Sequence, residues 1–254
     1  MTADLSETPS LSRSHPWEST LRDSWLFRGW GTALCTPGEL HFSDVPSGHT
    51  ICRESEPANR IYVVLSGLVK VSMAPPAGHP VVRDVLGPAD VLGATAVFTD
   101  GHFHETATGL TLVRLAWVPA ALVRSAVKQN PALAAGWLQA LARQVRVRDA
   151  ALCDMASADV TGRVARCIVM LAQRHGDDRP DGAVHLAHGL TRREFAQLVG
   201  AGVETVSRVL AQFVERGWII TGEGEVDVLD AAALRRRALI GRVAPTAATG
   251  RVPQ

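Results

Sequence analysis

The chain has 254 residues, 46% of them hydrophobic, which is enough to bury a sizeable core but long for a single one, so two domains are expected. Its formal charge of +1 excludes a whole-chain attraction to polyanions, so any nucleic-acid contact must rest on a local patch. The four cysteines, Cys35, Cys52, Cys153 and Cys167, form no CxxC pair and have no spacing suited to zinc or an iron–sulfur cluster, which leaves reduced, structural thiols as the expectation.

Residues 1–24 include MTADLSETPSLSRSHPWEST, a stretch rich in Ser, Thr and Pro that is expected to be disordered. It has no apolar run behind a basic start, and no window of the chain has the uninterrupted apolar length of a bilayer span. A soluble, cytoplasmic protein without membrane contact is the expectation. Over residues 25–128 the short β-type runs HTICRE, RIYVVLSGLVKVSM, VVRDVLG and TLVRLAWV are separated by segments such as SEPAN, PPAGHP and TDGHFH. Strands of this length joined by Gly, Pro, Asp and Asn predict an antiparallel sandwich or barrel rather than βαβ units.

After Pro119 the texture becomes helical. In QNPALAAGW, Asn130 can cap a helix and Pro131 suits its first position, where the missing N–H would have no partner in any case. Over residues 129–158, Leu138, Leu141, Val145, Arg148, Leu152 and Met155 recur at alternating steps of three and four. Such a heptad seam predicts either a paired dimerisation helix or a helix packed on its own β domain. Arg148 puts a charge at a seam position, so it must be half exposed or paired. SADVTGRVARCIVMLAQRHGDD then offers Asp159 as an N-cap and Val164, Ile168 and Leu171 along one face, after a break near Ser157.

Residues 159–242 hold the most specific pattern, GLTRREFAQLVGAGVETVSRVL. Thr191 and Glu194 form a Thr-x-x-Glu capping box that starts a helix with Phe195, Leu198 and Val199 inward. Gly200 and Gly202 make a tight corner, and a second helix begins at Val203 with Val206, Val209, Leu210 and Phe213 on its inner face. Its outer residues, Glu204, Thr205, Ser207 and Arg208, can hydrogen-bond base edges: Arg grips guanine O6 and N7, and Glu accepts from cytosine N4. GWIITGEGEVDVLD reads as two short strands about a glycine turn, a wing beside the helix pair. Arg192, Arg193, Arg208, Arg216 and the three arginines at 235–237 supply local positive charge that the net balance conceals. A helical hairpin with solvated charges is the bland alternative; wing and capping box together favour binding of double-stranded DNA. Residues 243–254 are expected to be a disordered tail.

DVTGRVA followed by LTRREFAQLVGAGVETVSRVLAQFVERGWI resembles the C-terminal winged helix-turn-helix of the Crp/Fnr superfamily of bacterial transcription regulators, and YVVLSGLVKV with DVLGATAVF resembles its β-roll. The likeness covers roughly residues 25–242. It implies an α+β fold: an N-terminal cupin-like antiparallel β-roll that senses an effector, a long dimerisation helix and a C-terminal winged helix-turn-helix. It also implies a homodimer on an inverted repeat, contact with RNA polymerase and no catalytic site. Thr191 falls where the family contacts phosphate, and Glu204, Ser207 and Arg208 where it contacts bases; Arg192, Arg193, Val203 and Thr205 complete the expected DNA-binding set. VETVSR is closer to the recognition helix of the Fnr-type branch, although that branch's N-terminal iron–sulfur cysteines are absent.

The resemblance also marks an effector pocket. The cyclic-AMP branch holds ribose and phosphate with Gly-Glu-Leu and Arg-Ser, where this chain has GATAVF and HET. Ala94 thus stands for the Glu, Glu105 for the Arg and Thr106 beside it, while the helix contributes Arg148. A carboxylate where an anionic phosphate must sit repels it in a low-dielectric pocket, so cyclic AMP is disfavoured and the effector is another molecule or none. Glu105 and Arg148 are expected to pair across this pocket. Haem-binding members of the family exist, and His41, His49, His79, His102 and His104 are the candidate axial ligands of a haem-based gas or redox sensor. A cupin-type metalloenzyme is the rival from another class, because His102 and His104 could share one side of a strand. Glu105, next in sequence, would point to the other face, so no metal set is assigned.

Overall fold

The computed structural model describes residues 16–28, 39–75, 78 and 80–239. Apolar runs broken by turns form two four-stranded antiparallel sheets. One has the order β1 (His41–Val45), β8 (Val113–Pro119), β3 (Arg60–Ser66) and β6 (Val91–Leu92). The other has the order β2 (Thr50–Cys52), β7 (Thr106–Gly109), β4 (Val69–Met73) and β5 (Val81–Leu86). Between them pack Tyr62, Val64, Val69, Leu92, Phe103, Val113 and Leu115. β3 is buried continuously over Ile61–Leu65 instead of alternating, because helices cover its other face. The turn from β3 to β4 requires Gly67: its φ is +81°, and a Cβ there would lie 2.2 Å from the Leu112 carbonyl oxygen.

The covering helices are α1 (Pro16–Asp23), α2 (Trp25–Arg28), α3 (Ala120–Gln129) and the first turns of α4 (Pro131–Ser157). Leu21, Leu26, Val123, Leu133 and Trp137 pack on Ile61, Val63, Ala116 and Val118. The stretch expected to be disordered is therefore helical from Pro16: Trp17, Leu21, Trp25 and Leu26 find a sheet face to cover, and their burial outweighs the Ser/Thr/Pro composition. Residues 1–15, Cys35, His79 and the tail 243–254 lie outside the described residues. β1, β7 and α3 carry little signal of their own: β7 is only Thr-Ala-Thr-Gly, and Pro119 before α3 makes no side-chain cap.

At the start of α4, Asn130 Oδ1 accepts from the N–H groups of Ala132 (3.0 Å) and Leu133 (3.4 Å), the cap expected beside Pro131. The helix has 27 residues and is about 40 Å long. Leu133 and Trp137 of its first turns are buried on the β domain, whereas Leu138, Val145, Leu152 and Met155 of the seam are each more than half exposed in the single chain. After a break, Asp159 caps α5 (Val160–His175) by accepting from the Gly162 N–H at 2.8 Å.

The C-terminal unit continues with β9 (Asp177–Asp178), β10 (Val184–Ala187), α6 (Arg192–Val199), α7 (Val203–Glu215), β11 (Ile219–Thr221), β12 (Glu225–Val228) and α8 (Ala231–Leu239). Its strands form a small antiparallel sheet in the order β11-β12-β10-β9. Val164, Ile168, Leu171, Phe195, Val206, Phe213, Ile219 and Leu234 fill its core, and Leu68, Val82 and Val85 from around the β4–β5 hairpin belong to the same cluster. The β-roll and the C-terminal unit thus share buried apolar surface.

Candidate nucleic-acid interface and effector cavity

α6 starts where the capping box places it. Thr191 Oγ1 accepts from the Glu194 N–H at 3.3 Å, and Glu194 Oε2 accepts from the Thr191 N–H at 2.9 Å. Arg192 and Arg193 extend into solvent from its first turn. Gly200 ends the helix in the left-handed region, with φ +71°. Arg163 of α5 ties down that corner, donating to the carbonyls of Val199 (3.2 Å), Gly200 (3.1 Å) and Ala158 (2.9 Å). On α7, Val206, Val209, Leu210 and Phe213 are buried, while Val203, Glu204, Thr205 and Arg208 are exposed and Ser207 is half-buried. Thr191 and Arg192 also line a groove of about 660 Å³ between α6 and the wing formed by β11 and β12. All eight residues expected at a DNA surface therefore belong to one continuous element, the α6–corner–α7 unit.

Sequence reasoning missed the residues that attach this unit to the β-roll. Lys70 of β4 pairs with Glu194, the same carboxylate that closes the capping box. Burial alone would raise the Glu194 carboxyl, but the Lys70 ammonium and the Thr191 donors more than offset it and hold it below its usual range. Gln197 of α6 donates to the Pro80 carbonyl at 3.4 Å and accepts from the Val82 N–H at 3.4 Å. The only sequence signal was the polar character of these positions on an otherwise apolar strand and helix face.

A second concavity, of about 390 Å³, opens between the β-roll and α4. It brings together Ala94, Glu105 and Arg148; Thr106 is not on its wall, and its hydroxyl accepts from the Glu54 N–H at 3.1 Å. The expected pair of Glu105 with Arg148 is not formed. Glu105 is held instead by Arg83 of β5, from the far side of β4 in the same sheet. Arg174 of α5 is shared by Asp84 (3.1 Å) and Asp90 (2.8 Å). Burial works against the Arg174 charge, and the two carboxylates more than offset it. Each carboxylate on the wall is thereby engaged, whereas Arg143 and Arg148 make no ion pair among the described residues.

No histidine or cysteine is on the described wall of this cavity, where Met170 is the one side chain of a haem-ligating type. His41 stacks on Trp117 at 4.1 Å, His49 and His102 bond nearby backbone carbonyls, and His104 faces Asp100 at 3.2 Å. Among the described residues, no three His, Cys, Asp or Glu side chains are grouped to hold a metal ion. Burial pushes the Cys52 thiol up to about 12, which keeps it protonated and unreactive near neutral pH.

Residues 162–237 match the Crp-like helix-turn-helix domain, and residues 43–130 match the cyclic nucleotide-binding domain. The chain is 39% identical over 200 residues to the CRP-like cAMP-activated global transcriptional regulator of Mycobacterium tuberculosis, covering 79% of this chain and 89% of that protein. It is 27% identical over 221 residues to the cAMP-activated global transcriptional regulator CRP of Haemophilus influenzae, covering 86% and 94%. A CRP-family transcriptional regulator from Thermus thermophilus superposes with a TM-score of 0.64 at 25% identity, over 77% of this chain and 96% of that one. FixK2 from Bradyrhizobium japonicum shares the fold with a TM-score of 0.69 at 19% identity, over 78% and 96%. A β-roll, a long helix and a winged helix-turn-helix in this order, together with that relatedness, place the chain in a family of DNA-binding regulators rather than enzymes: it belongs to the Crp/Fnr superfamily of bacterial transcription regulators.

Proposed function

We propose that two copies of this chain pair along the α4 seam and read an inverted repeat through α7, in the cytoplasm and in contact with RNA polymerase. The observation that carries this reading is the division of α7 into a buried apolar face and an exposed face of Glu204, Thr205 and Arg208, beside a seam whose apolar residues lie open in the single chain. The division into a sensor domain (25–128), dimer helix (129–158) and DNA-binding domain (159–242) is part of the same reading.

Arg208 supplies a bidentate contact to guanine, Val203 or Ser207 faces thymine methyl groups, and Thr191, Arg192 and Arg193 take backbone phosphates. Val203 is apolar where the cyclic-AMP branch has an Arg, which removes one guanine contact and favours Fnr-like TTGAT half-sites over TGTGA. Two-fold symmetry sets the half-sites about 10 bp apart, centre to centre. The relatives from Mycobacterium tuberculosis and Haemophilus influenzae are cAMP-activated; here Ala94 and a Glu105 already paired with Arg83 stand where the resemblance places the ribose and phosphate ligands, so the wall offers a cyclic phosphate no cation in that place, and the effector is a different molecule or none. The test is selection of bound oligonucleotides from a random pool by the purified chain. An inverted repeat of TTGAT-like half-sites is expected; TGTGA half-sites, or no repeat, overturns the reading.

A further inference from the structure

We infer that α8 is a second phosphate-binding element of the DNA-binding unit, in which Arg235 and Arg236 hold the duplex backbone beside the start of α7 while Arg237 fixes the helix in place. The inference rests on the DNA reading proposed above and adds to it a surface outside the α6–corner–α7 unit.

The fold gives the three arginines of α8 different tasks. Ala233 and Leu234 are buried in the C-terminal unit, and Arg237, whose side chain is only 15% exposed, reaches Asp159 at 2.5 Å. Helical spacing then turns Ala232, Arg235, Arg236 and Leu239 outward, and all four are exposed. Arg235 and Arg236 make no ion pair or side-chain hydrogen bond among the described residues. Other basic residues of the unit are already engaged: Arg216 lies over the Trp218 ring at 5.0 Å, and Arg163 donates to three backbone carbonyls.

A chain of contacts places the free charge of α8 beside the reading helix. Asp159 caps α5, so Arg237 pins the last turn of α8 onto the first turn of α5, where a Cβ on Gly162 would lie 3.4 Å from Arg237 Nη1. From the same turn Arg163 reaches the Gly200 carbonyl, and Gly200 opens the corner that leads to Val203 of α7. The first turn of α5 thus links α8 to the start of α7. Arg192 and Arg193 lie at the other end of α6, a helix of eight residues and about 12 Å. The major groove that receives α7 is about 12 Å wide and is edged by a phosphate backbone on each side. Basic clusters at the two ends of α6 therefore meet different backbone segments.

The wing does not supply this second hold. Glu223 and Glu225 are exposed at its tip and line the groove beside Thr191 and Arg192, where their carboxylates repel a phosphate. The charge that offsets them is on α8.

The test compares the full chain with its Arg235→Ala/Arg236→Ala variant on the selected repeat and on random duplex across a salt series. Both side chains are exposed, so the fold should be kept, and circular dichroism checks this. Affinity for both duplexes is expected to fall by about tenfold at low salt, and the salt slope by about two per half-site, with the preferred half-site sequence unchanged. Arg235→Lys/Arg236→Lys should keep the slope, because the charge is kept. Ethylation interference adds position: the phosphates whose ethylation ceases to matter in the alanine variant should differ from those lost in Arg193→Ala. An unchanged slope, an altered half-site preference, or loss of the same phosphates as in Arg193→Ala overturns the assignment. The two proposals fail separately. Binding of random duplex that depends on Arg235 and Arg236, with no repeat selected, leaves α8 standing and overturns the reading by α7; a TTGAT-like repeat bound by the alanine variant with an unchanged slope does the reverse.

Discussion

Lys70 of β4 and Glu194 of α6 form an ion pair that joins the β-roll to the first helix of the DNA-binding unit, and the same carboxylate accepts from the Thr191 N–H to complete the α6 cap. One side chain thus serves helix initiation and domain docking together. Removing Lys70 loses only the docking contact, whereas removing Glu194 loses both. Lys70→Ala is expected to lower stability by about 1 kcal/mol and Glu194→Ala by about 2 kcal/mol, read from urea unfolding followed by tryptophan fluorescence. Equal losses would mean that the cap contributes nothing here.

His188 gives the DNA-binding unit an acid limit. It is buried, its Nδ1 accepts from the Leu190 N–H at 3.0 Å, and its ring lies 5.7 Å from Phe195. Burial, then the charge of Arg192, lowers its pKa from 6.5 to about 4. Between those two values the unfolded chain takes up a proton that the folded chain refuses, so this contribution to stability falls as the pH drops through that window. The loss across the window is roughly 3 kcal/mol. His188→Asn, which keeps an acceptor near the position of Nδ1, should flatten the slope. Urea midpoints measured between pH 7 and pH 4.5 provide the check, and an unchanged slope would assign the acid sensitivity elsewhere.

Arg208 and Arg193 both extend into solvent from the helix-turn-helix, the first on α7 and the second on α6. Arg208→Ala should cost ~1–3 kcal/mol on the operator and relax preference at one base position. Arg193→Ala should weaken binding to all sequences and reduce the salt slope by about one, because a phosphate contact releases counterions without reading sequence. Titrations of operator and random duplex at several salt concentrations distinguish the two. The same loss for both variants on both duplexes would remove α7 from its role.

The seam of α4 is open to an equally direct measurement. Leu152 is 65% exposed in the single chain, so Leu152→Asp leaves the chain's own core intact but puts a charge into a paired seam. Sedimentation should shift from dimer to monomer while the helical circular dichroism is kept, and operator affinity should fall with the dimer. A variant that remains dimeric would place the pairing surface elsewhere.

Residue type alone determined those features whose partners lie within about one helical turn of each other. Asn130 over the start of α4, Asp159 over α5, the Thr191–Glu194 box and the left-handed Gly200 are all of this kind, and so is the division of α7 into buried and exposed faces. Spacing also marked the α4 seam, because its heptad period is a property of the sequence. Tertiary structure decided the contacts that depend on strand order. Arg83 and Glu105 are 22 residues apart and meet only because β7, β4 and β5 are neighbours in one sheet, so the Arg148 expected at Glu105 was left without it. Lys70 and Glu194, 124 residues apart, meet only because the β4–β5 hairpin packs into the C-terminal core. The helix at Pro16–Asp23 has the same origin: its composition is that of a loose extension, and what orders it is the apolar outer face of a sheet whose strands begin at His41. Local hydrogen bonds and period are written in neighbouring residues, whereas the partner of a charge or of an apolar ring is set by whatever surface the completed fold brings beside it.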